Sequence, residues 1–176
     1  CCVFLHIFIL IYGGFYTYAK TPLGNWAMEV FGFSRNHYDR VGHMALGAFP
    51  VFIIREVLLR VTPLQRGGWF YFIVFSIILA IAAFWELLEW WIALLVASDV
   101  GTAFLGSQGD IWDAHKDMAL ASLGALIAML ITLAINMRIQ DDFWDEWRSS
   151  LSIKSNVPLG EDEISRLIHT SGKRRR

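Results

Sequence analysis

The chain has 176 residues, of which 56% are hydrophobic, and its mean hydropathy is +0.47. A soluble domain is usually about 45–50% apolar, so this composition argues against a soluble globular protein and favours lipid as the solvent. The formal net charge is -1, and we expect the lipid bilayer as a partner and no nucleic acid. Cys1 and Cys2 are adjacent, so we expect neither a disulfide framework nor a thiolate metal site.

Four apolar segments predict an all-α fold, a polytopic transmembrane helix bundle with at least four spans in residues 1–137. The first segment, residues 2–18, is just long enough to cross a hydrocarbon core of about 30 Å. It begins without Met and inside an apolar run, so we expect residues upstream. A polar-aromatic loop, residues 20–38, is predicted to follow, with Trp26 and Phe31 at the membrane interface.

The second predicted span, residues 39–59, opens with the motif RNHYDRVGH. Asp39 and His43 are four residues apart, which places them on one face of the first helical turns.

The third predicted span, residues 69–96, contains the motif FWELLEWW. Glu86 and Glu89 are three residues apart and share a helix face, and the tryptophans around them indicate that this end approaches an interface.

The fourth predicted span, residues 111–137, follows the stretch FLGSQGDIWDAHKDM. Asp113 and Asp117 lie on one face, a turn apart, whereas Asp110 is typical of a helix cap. The first half of this span is rich in Ala, Gly and Ser, which predicts a tightly packed face.

The remaining residues, 138–176, are predicted to form a cytoplasmic interfacial helix and a charged tail. Phe143, Trp144 and Trp147 are the expected membrane anchors. The stretch EDEISRLIHT predicts a short helix, and the basic end is expected to be disordered.

Because the connections between the predicted spans are short, successive connections are expected to lie on alternate sides of the membrane. Eight of the fifteen Lys and Arg residues lie from Arg138 onward. The positive-inside rule therefore makes the tail and the loop at residues 60–66 cytoplasmic, so the C-terminus is cytoplasmic. Loops 20–38 and 98–110 are then extracytoplasmic.

This topology brings acids from three helices to the same depth in the outer leaflet. An ionised acid at a helix centre costs roughly 2.5–3.5 kcal/mol on insertion scales, so several together need pairing, protonation, hydration or a metal. We identify a candidate metal site formed by Asp39, His43, Glu86, Glu89, Asp113 and Asp117.

Oxygen ligands with one imidazole suit a divalent cofactor such as Zn, Mg or Mn. Such an ion would activate water in a metal-dependent hydrolase or lipid-modifying enzyme, with Glu86 and Asp113 as catalytic residues. Arg35 and Arg40 are candidates for binding phosphate. The candidate general bases are His115 and His37.

Three other interpretations stay open. The polar groups can form a satisfied core, with Asp39 paired to Arg40 or Arg35, Asp117 paired to Lys116 or His43, and Glu89 bonded to an indole. A proton or ion relay is less favoured, because four spans with no broken helix are unlike a transporter. The protein can also be a non-catalytic accessory subunit that binds other membrane protein subunits.

The motifs YTYAKTPLG, RNHYDRVGH, FWELLEWW and FLGSQGDIWDAHKDM, in this order, resemble the YjdF-like family of bacterial inner-membrane proteins of unknown function. The resemblance covers residues 12–137 and implies location in the inner membrane and a further hydrophobic segment upstream. It also implies His in place of Phe15 and Gln-Trp in place of His115 and Lys116, which puts a role for His115 in doubt. The layout of the acids is more loosely similar to VanZ-like membrane proteins.

Overall fold

The computed structural model describes residues 2–95, 107–153, 160, 162 and 164–166, and all of the regular structure in these ranges is helical. This confirms the all-α fold. The helices are α1 (Cys2–Phe15), α2 (Pro22–Phe31), α3 (Tyr38–Ala48), α4 (Pro50–Val61), α5 (Gly68–Leu95), α6 (Asp113–Ile139) and α7 (Phe143–Ser150).

Two helices, α5 and α6, are long and apolar enough to cross a membrane. They contain 28 and 27 residues, and their most apolar windows have mean hydropathies of 2.3 and 2.4. At 1.5 Å per residue each is about 40 Å long, which exceeds a hydrocarbon core of about 30 Å. Helix α1 is apolar but has only 14 residues, so the number of four spans stays a prediction.

The second predicted span is divided into α3 and α4 at Phe49 and Pro50. The backbone N–H of Phe49 still donates to the carbonyl of Ala45 at 3.0 Å. Pro50 has no N–H to donate to the preceding turn, and it begins α4 at a position where a helix tolerates proline. The expectation that no span is broken was therefore wrong, because it overlooked Pro50.

The segment predicted as a loop at residues 20–38 contains the helix α2. Pro22 occupies the first turn of this helix, and Gly32 ends it with a φ of 68°. Proline at the start and a left-handed glycine at the end are the common signals of helix boundaries. Trp26 and Phe31 are exposed on this helix, at 56% and 63%.

Helices α3 and α6 pack closely through their small residues. A side chain added to Gly47 would overlap the backbone of Ala121, and one added to Gly124 would overlap the backbone of Met44. The prediction of a tightly packed face on the fourth span is confirmed. This contact fixes the position of Asp39 on α3 relative to the acids of α6.

The apolar core lies between α4, α5 and α6, at the end of the bundle away from the acids. Its buried side chains are Val51, Phe70, Val74, Ile78, Ala125, Ala128 and Met129.

Helix α7 packs against this same end through its predicted anchor Phe143, which is buried in protein at 1% exposure. Trp147 packs against Tyr71, and Trp144 is exposed. The predicted short helix at 161–170 and the basic end lie largely outside the described residues.

Candidate metal centre

The polar residues meet where α3 and α6 begin and α5 approaches its end. We call this the acidic end of the bundle. Tyr38, in the first turn of α3, ties α3 to α1, because its hydroxyl donates to the carbonyl of Ile9 at 3.1 Å. The four helices α1, α3, α5 and α6 therefore surround the polar side chains near the acidic end.

His43 lies at the centre of these side chains. Its Nε2 atom is 3.7 Å from Oδ1 of Asp39, one turn earlier on α3, and 3.5 Å from Oε1 of Glu86 on α5. Two groups have ligand atoms that all lie within 4.8 Å of one another: His43 with Asp39 and Asp117, and His43 with Glu86 and Glu89. We call the union of the two groups the inner cluster, which consists of Asp39, His43, Glu86, Glu89 and Asp117.

The inner cluster is removed from solvent. Asp39, His43 and Asp117 are only 2–3% exposed, and Glu89 is 6% exposed. Buried atoms that find no hydrogen-bond partner among the described residues include Oδ2 of Asp39, Nδ1 of His43 and Oδ1 of Asp117. Buried polar atoms are normally hydrogen-bonded, so these three side chains have bonding capacity for a further group.

In the part of the chain that the structure describes, no Lys or Arg forms an ion pair with the four carboxylates of the inner cluster. Within the ranges that the structure describes, the only ion pairs of these carboxylates are those of Asp39 and Glu86 with His43. Glu89 accepts a hydrogen bond from Nε1 of Trp85 at 2.7 Å, which confirms the predicted indole donor.

A small cavity of about 10 Å³ borders Asp39 and His43 and is also lined by Tyr18 and Trp85. This volume is about what one water molecule or ion requires.

A second cluster of charges lies above the inner cluster, and we call it the rim. It consists of Arg35, Arg40, Asp110, Asp113 and Lys116. Nη1 of Arg35 is 2.7 Å from Oδ1 of Asp113, and Nη2 of Arg40 is 3.0 Å from Oδ2 of Asp110. Lys116 reaches the same Oδ2 atom at 2.5 Å.

The rim differs from the predicted ion pairs. Arg35 and Arg40 bind Asp113 and Asp110 rather than Asp39, and Lys116 binds Asp110 rather than Asp117. The reason is the loop before α6. It places Asp110 and Asp113 over the start of α3, whereas Asp39 points down its helix toward His43.

Asp113 is the predicted metal ligand that the structure keeps apart from the others. It is buried, at 5% exposure, but its Oδ1 atom is held by Arg35, and it belongs to neither of the two ligand groups. Asp117, one turn deeper on the same face, joins the inner cluster instead.

Asp110 was predicted to cap the helix, but the N-cap residue of α6 is Trp112, and no side chain caps this helix. Oδ1 of Asp110 instead accepts the backbone N–H of Trp112 at 3.1 Å, in the turn before the helix. Hydrogen bonds from Lys116 and from this backbone N–H hold the pKa of Asp110 below its ordinary value. The Asp110 carboxylate therefore binds both the backbone at the turn before α6 and the basic side chains of the rim.

The two candidate general bases lie away from the inner cluster. The His115 ring packs edge-on against Trp112, with 5.2 Å between ring centroids. The His37 ring packs against Phe33 in the same way. Partial burial and then the charges of Arg40 and Arg35 lower the pKa of His37.

A larger cavity of about 180 Å³ lies between α5 and the start of α6. Glu86 and Glu89 of the inner cluster and Asp110 and Asp113 of the rim line it. The cavity therefore borders Glu86 and Glu89 of the inner cluster, and its acidic lining attracts cations.

Sequence reasoning missed Asn36, which is 2% exposed and organises the loops around the site. Its side-chain amide donates to Asn25, and its Oδ1 atom accepts the N–H of Tyr38 at the start of α3. Its backbone exchanges hydrogen bonds with the side chain of Gln108 at 3.1 and 2.8 Å. Asn36 lies two residues before the start of α3, and an Asn that bonds the backbone two residues later is a turn signal that was available in the motif RNHYDRVGH.

Comparison with known proteins agrees with this architecture. The family described as "Predicted membrane protein (DUF2238)" matches residues 1–138. Inner membrane protein YjdF of Escherichia coli (strain K12) is 43% identical over 136 residues, which are 77% of this chain and 65% of the relative. The chain thus spans just under two thirds of that relative's length, and no solved structure matches it significantly.

These matches confirm the resemblance to YjdF-like proteins, and the chain belongs to the DUF2238 family of membrane proteins.

Proposed function

We propose that this membrane protein binds a divalent metal ion in the inner cluster and uses it to hydrolyse an ester of a lipid or of a lipid headgroup. One observation carries the proposal. Four buried carboxylates surround one buried imidazole, and in the described part of the chain no Lys or Arg forms an ion pair with them.

Charge explains why a cation belongs here. Ionised acids cost roughly 2.5–3.5 kcal/mol each at the centre of a membrane helix, and proximity of like charges adds to this cost. A divalent ion offsets two of the four negative charges and gives the unpartnered oxygens of Asp39 and Asp117 a ligand.

The spacing of the donors is also suitable. Ligands bonded to zinc at about 2.1 Å in a tetrahedron lie about 3.4 Å from one another. Nε2 of His43 is 3.5 Å from Glu86 and 3.7 Å from Asp39. Carboxylates with one imidazole suit Zn²⁺ and Mn²⁺, and a carboxylate-rich site also accepts Mg²⁺.

Glu86 is the residue that connects the inner cluster to the larger cavity. Its side chain is 13% exposed, it contacts His43, and it lines the cavity of about 180 Å³. A metal ion held by the inner cluster would supply a bound water molecule with a pKa lowered toward 7. Glu86 would accept a proton from the water whose oxygen bonds to the ester centre, and would return that proton to the departing alkoxide as the ester bond breaks.

We further propose that the chain crosses the bacterial inner membrane several times, with the acidic end extracytoplasmic and the C-terminus cytoplasmic. The support is the excess of Lys and Arg from Arg138 onward and the rule that positive segments stay inside.

Metal analysis with a matched set of variants tests the metal. Purified full-length protein is loaded with Zn²⁺ or Mn²⁺, freed of excess ion, and measured for bound metal. We expect about one ion per chain in the wild type and in Glu29→Gln, an exposed acid outside the site. Asp117→Asn and His43→Ala should lose it. Equal metal content in all four proteins would contradict the proposal.

Hydrolysis is tested separately on the metal-loaded protein with phospholipid substrates. We expect Glu86→Gln to abolish release of the headgroup or acyl chain, and Glu29→Gln to retain it. Metal binding without hydrolysis in the wild type would support the metal site and contradict the proposed enzymatic activity.

A further inference from the structure

The cavity of about 180 Å³ between α5 and the start of α6 has acidic walls. It is lined by Glu86 and Glu89 of α5, by Asp113 of α6 and by Asp110 of the turn before α6. Among the described residues no Lys or Arg lines it. A cleft lined by one sign of charge concentrates ions of the opposite sign, so this cavity favours a cation.

Asp113 has a free oxygen for a ligand in this cavity. The carboxylate is held in place by Arg35, which donates to its Oδ1 atom at 2.7 Å. Its Oδ2 atom is buried without a hydrogen-bond partner among the described residues, although the whole residue is only 5% exposed. Because buried polar atoms are normally hydrogen-bonded, Oδ2 of Asp113 indicates a donor that a ligand would supply.

The size of the cavity and the spacing of its acids fit an organic cation rather than a bare metal ion. A volume of about 180 Å³ is far more than the roughly 10–15 Å³ that one water molecule or ion requires. Asp110 and Asp113 also belong to neither of the two groups whose ligand atoms lie within 4.8 Å of one another. The cavity therefore suits a cation that carries its charge on a short carbon chain.

The lining favours a primary ammonium group over a quaternary one. A primary ammonium group has three N–H donors, which form strong charge-assisted hydrogen bonds with carboxylates. Quaternary ammonium groups are typically bound by the faces of aromatic rings, and no aromatic side chain is among the described residues that line the cavity. Ile111 and Ala114 add an apolar wall for the adjoining methylene groups.

The cavity lies at the level where lipid headgroups are expected. Trp112, beside it at the start of α6, is exposed, and so are Trp90 and Trp91, which follow Glu89 on α5. Tryptophan is enriched where a membrane protein meets the interface between lipid and water. A lipid with an amine in its headgroup would therefore carry that amine at the depth of this cavity.

We propose that this cavity, which we call the amine pocket, binds a primary ammonium group of the substrate, with Oδ2 of Asp113 as its hydrogen-bond acceptor. The substrate class is an ester that bears an aminoalkyl group, either in a lipid headgroup or in a small soluble molecule. The role of the pocket in a reaction rests on the proposed function. The pocket itself needs no metal, because Asp113 is not in the inner cluster.

Binding is measured by calorimetry on the full-length protein in detergent and EDTA, so that divalent ions do not compete for the acids. The probes are ethanolamine and the dihexanoyl forms of phosphatidylethanolamine, phosphatidylcholine and phosphatidylglycerol. We expect the wild type to bind phosphatidylethanolamine about tenfold more tightly than the other two lipids, because only its headgroup has a cation with N–H donors.

Two variants change the amine pocket in different ways. Asp113→Asn removes the charge and keeps the shape, whereas Ala114→Leu fills the pocket and keeps every charge of the site. Each should bind phosphatidylethanolamine about tenfold more weakly than the wild type. The matched controls are Glu29→Gln and Ala119→Leu, which change exposed residues outside the pocket and should bind as the wild type does.

The ethanolamine arm identifies the source of the amine. Ethanolamine bound as tightly as phosphatidylethanolamine supports a pocket for a soluble amine, and much weaker binding of ethanolamine supports a pocket for a lipid headgroup. Equal affinity of the wild type for phosphatidylethanolamine and phosphatidylglycerol would overturn the proposal. Wild-type affinity in Ala114→Leu would overturn it as well, and this variant decides the matter if Asp113→Asn does not fold.

The amine pocket and the metal site can fail independently. Ala114→Leu should keep the metal content of the wild type, because Ala114 is not in the inner cluster. A wild type that binds metal but does not prefer the amine would reject the pocket alone. A wild type that prefers the amine but binds no metal would reject the metal site alone.

Discussion

His43 connects carboxylates from three helices through one imidazole ring. Its Nε2 atom faces Asp39 on its own helix and Glu86 on α5, and Asp117 on α6 completes one of the two ligand groups. A cluster of this kind costs stability when no cation is bound, because buried like charges repel one another and lose their hydration. Under the proposed function, metal binding and stability would therefore favour different residues at these positions.

Asp117→Asn tests this conflict directly. In EDTA we expect the variant to be more stable than the wild type, by about 1–3 kcal/mol, because one buried negative charge is removed. When Zn²⁺ is added at about 100 times its Kd, the wild type should gain about 2.7 kcal/mol and the variant should not, so the advantage of the variant should be cancelled or reversed.

Thermal unfolding in detergent, with and without Zn²⁺, measures both effects. Glu29→Gln serves as the control for an acid-to-amide change outside the site, and it should follow the wild type. If Asp117→Asn is less stable in EDTA and gains as much from zinc as the wild type does, Asp117 is a structural residue.

Asp110 gives a pH dependence whose sign follows from its surroundings. Hydrogen bonds from Lys116 and the Trp112 backbone lower its pKa in the folded protein. Its contribution to stability is therefore complete above its unfolded pKa of about 3.9 and is lost as the pH falls through the lowered value. We expect the stability difference between wild type and Asp110→Asn to be constant from pH 5 to 7 and to shrink below about pH 4.

Unfolding midpoints measured across this pH range provide the check. Lys116→Gln removes the largest cause of the lowered pKa, so the loss of stability should begin at a higher pH in that variant. A difference between wild type and Asp110→Asn that stays unchanged down to pH 3 would show that the rim does not hold the Asp110 carboxylate.

At the scale of elements, the pair α3 and α6 sets the geometry of the site. Gly47 and Gly124 let the two backbones approach, and this approach brings Asp117 beside Asp39 and His43. Small residues at helix interfaces are a common solution in membranes, where packing rather than hydrophobic burial holds helices together.

Gly124→Ala should separate these helices. Its added methyl group would overlap the carbonyl of Met44 and lie 3.1 Å from the backbone N of Ala48. We expect a loss of about 1–3 kcal/mol of stability and weaker metal binding, because the ligands of α3 and α6 move apart.

Gly14→Ala is the matched control, since a methyl group there meets nothing within 4 Å. Alanine favours a helix by about 1 kcal/mol over glycine, so this change should be neutral or slightly stabilising. Unfolding midpoints and metal content of both variants decide the matter. Equal behaviour of the two variants would rule out the close contact of α3 with α6.

Much of this arrangement was predictable from residue spacing. Asp39 and His43 at four residues, and Glu86 and Glu89 at three, define helix faces whatever the tertiary structure is. The small residues before Ala125 indicated the packed face of α6. The apolar lengths of α5 and α6 indicated spans because hydropathy reports directly on the lipid environment.

The partners of the rim were not predictable in this way. Arg35 lies 78 residues from Asp113, and their contact depends on the turn formed by Gln108 and Gly109, which have φ values of 47° and 88°. Local spacing predicted an ion pair between Lys116 and its neighbour Asp117. In the structure the turn places Asp110 next to Lys116, and these two residues form the ion pair. The break at Pro50 was readable from the sequence, because an interior proline interrupts a helix.

At the scale of the whole molecule, the polar and apolar parts occupy opposite ends. The inner cluster and the rim lie at the acidic end, whereas the apolar core and α7 lie at the other. Arg66 at that second end donates its backbone N–H to Glu146 of α7 at 2.9 Å, which fixes α7 to the bundle. We expect the acidic end to face one side of the membrane and α7 to face the other.

Cysteine labelling in intact bacterial cells tests which side this is. In a chain with Cys1 and Cys2 replaced by Ser, we expect Glu29→Cys at the acidic end to react with a membrane-impermeant maleimide. Ser152→Cys, beyond α7, should react only after the cells are made permeable. Both positions are exposed in the structure. The reverse pattern would place the acidic end in the cytoplasm, and labelling of both without permeabilisation would contradict a cytoplasmic C-terminus.

The most direct test of the central claim is a diffraction experiment on the zinc-loaded protein at the zinc absorption edge. The proposed function predicts an anomalous peak within about 2.3 Å of His43 and of at least two carboxylates of the inner cluster. The same experiment on Asp117→Asn should give a weakened or absent peak. A fully loaded crystal with no anomalous peak between Asp39, His43, Glu86 and Asp117 would contradict the account.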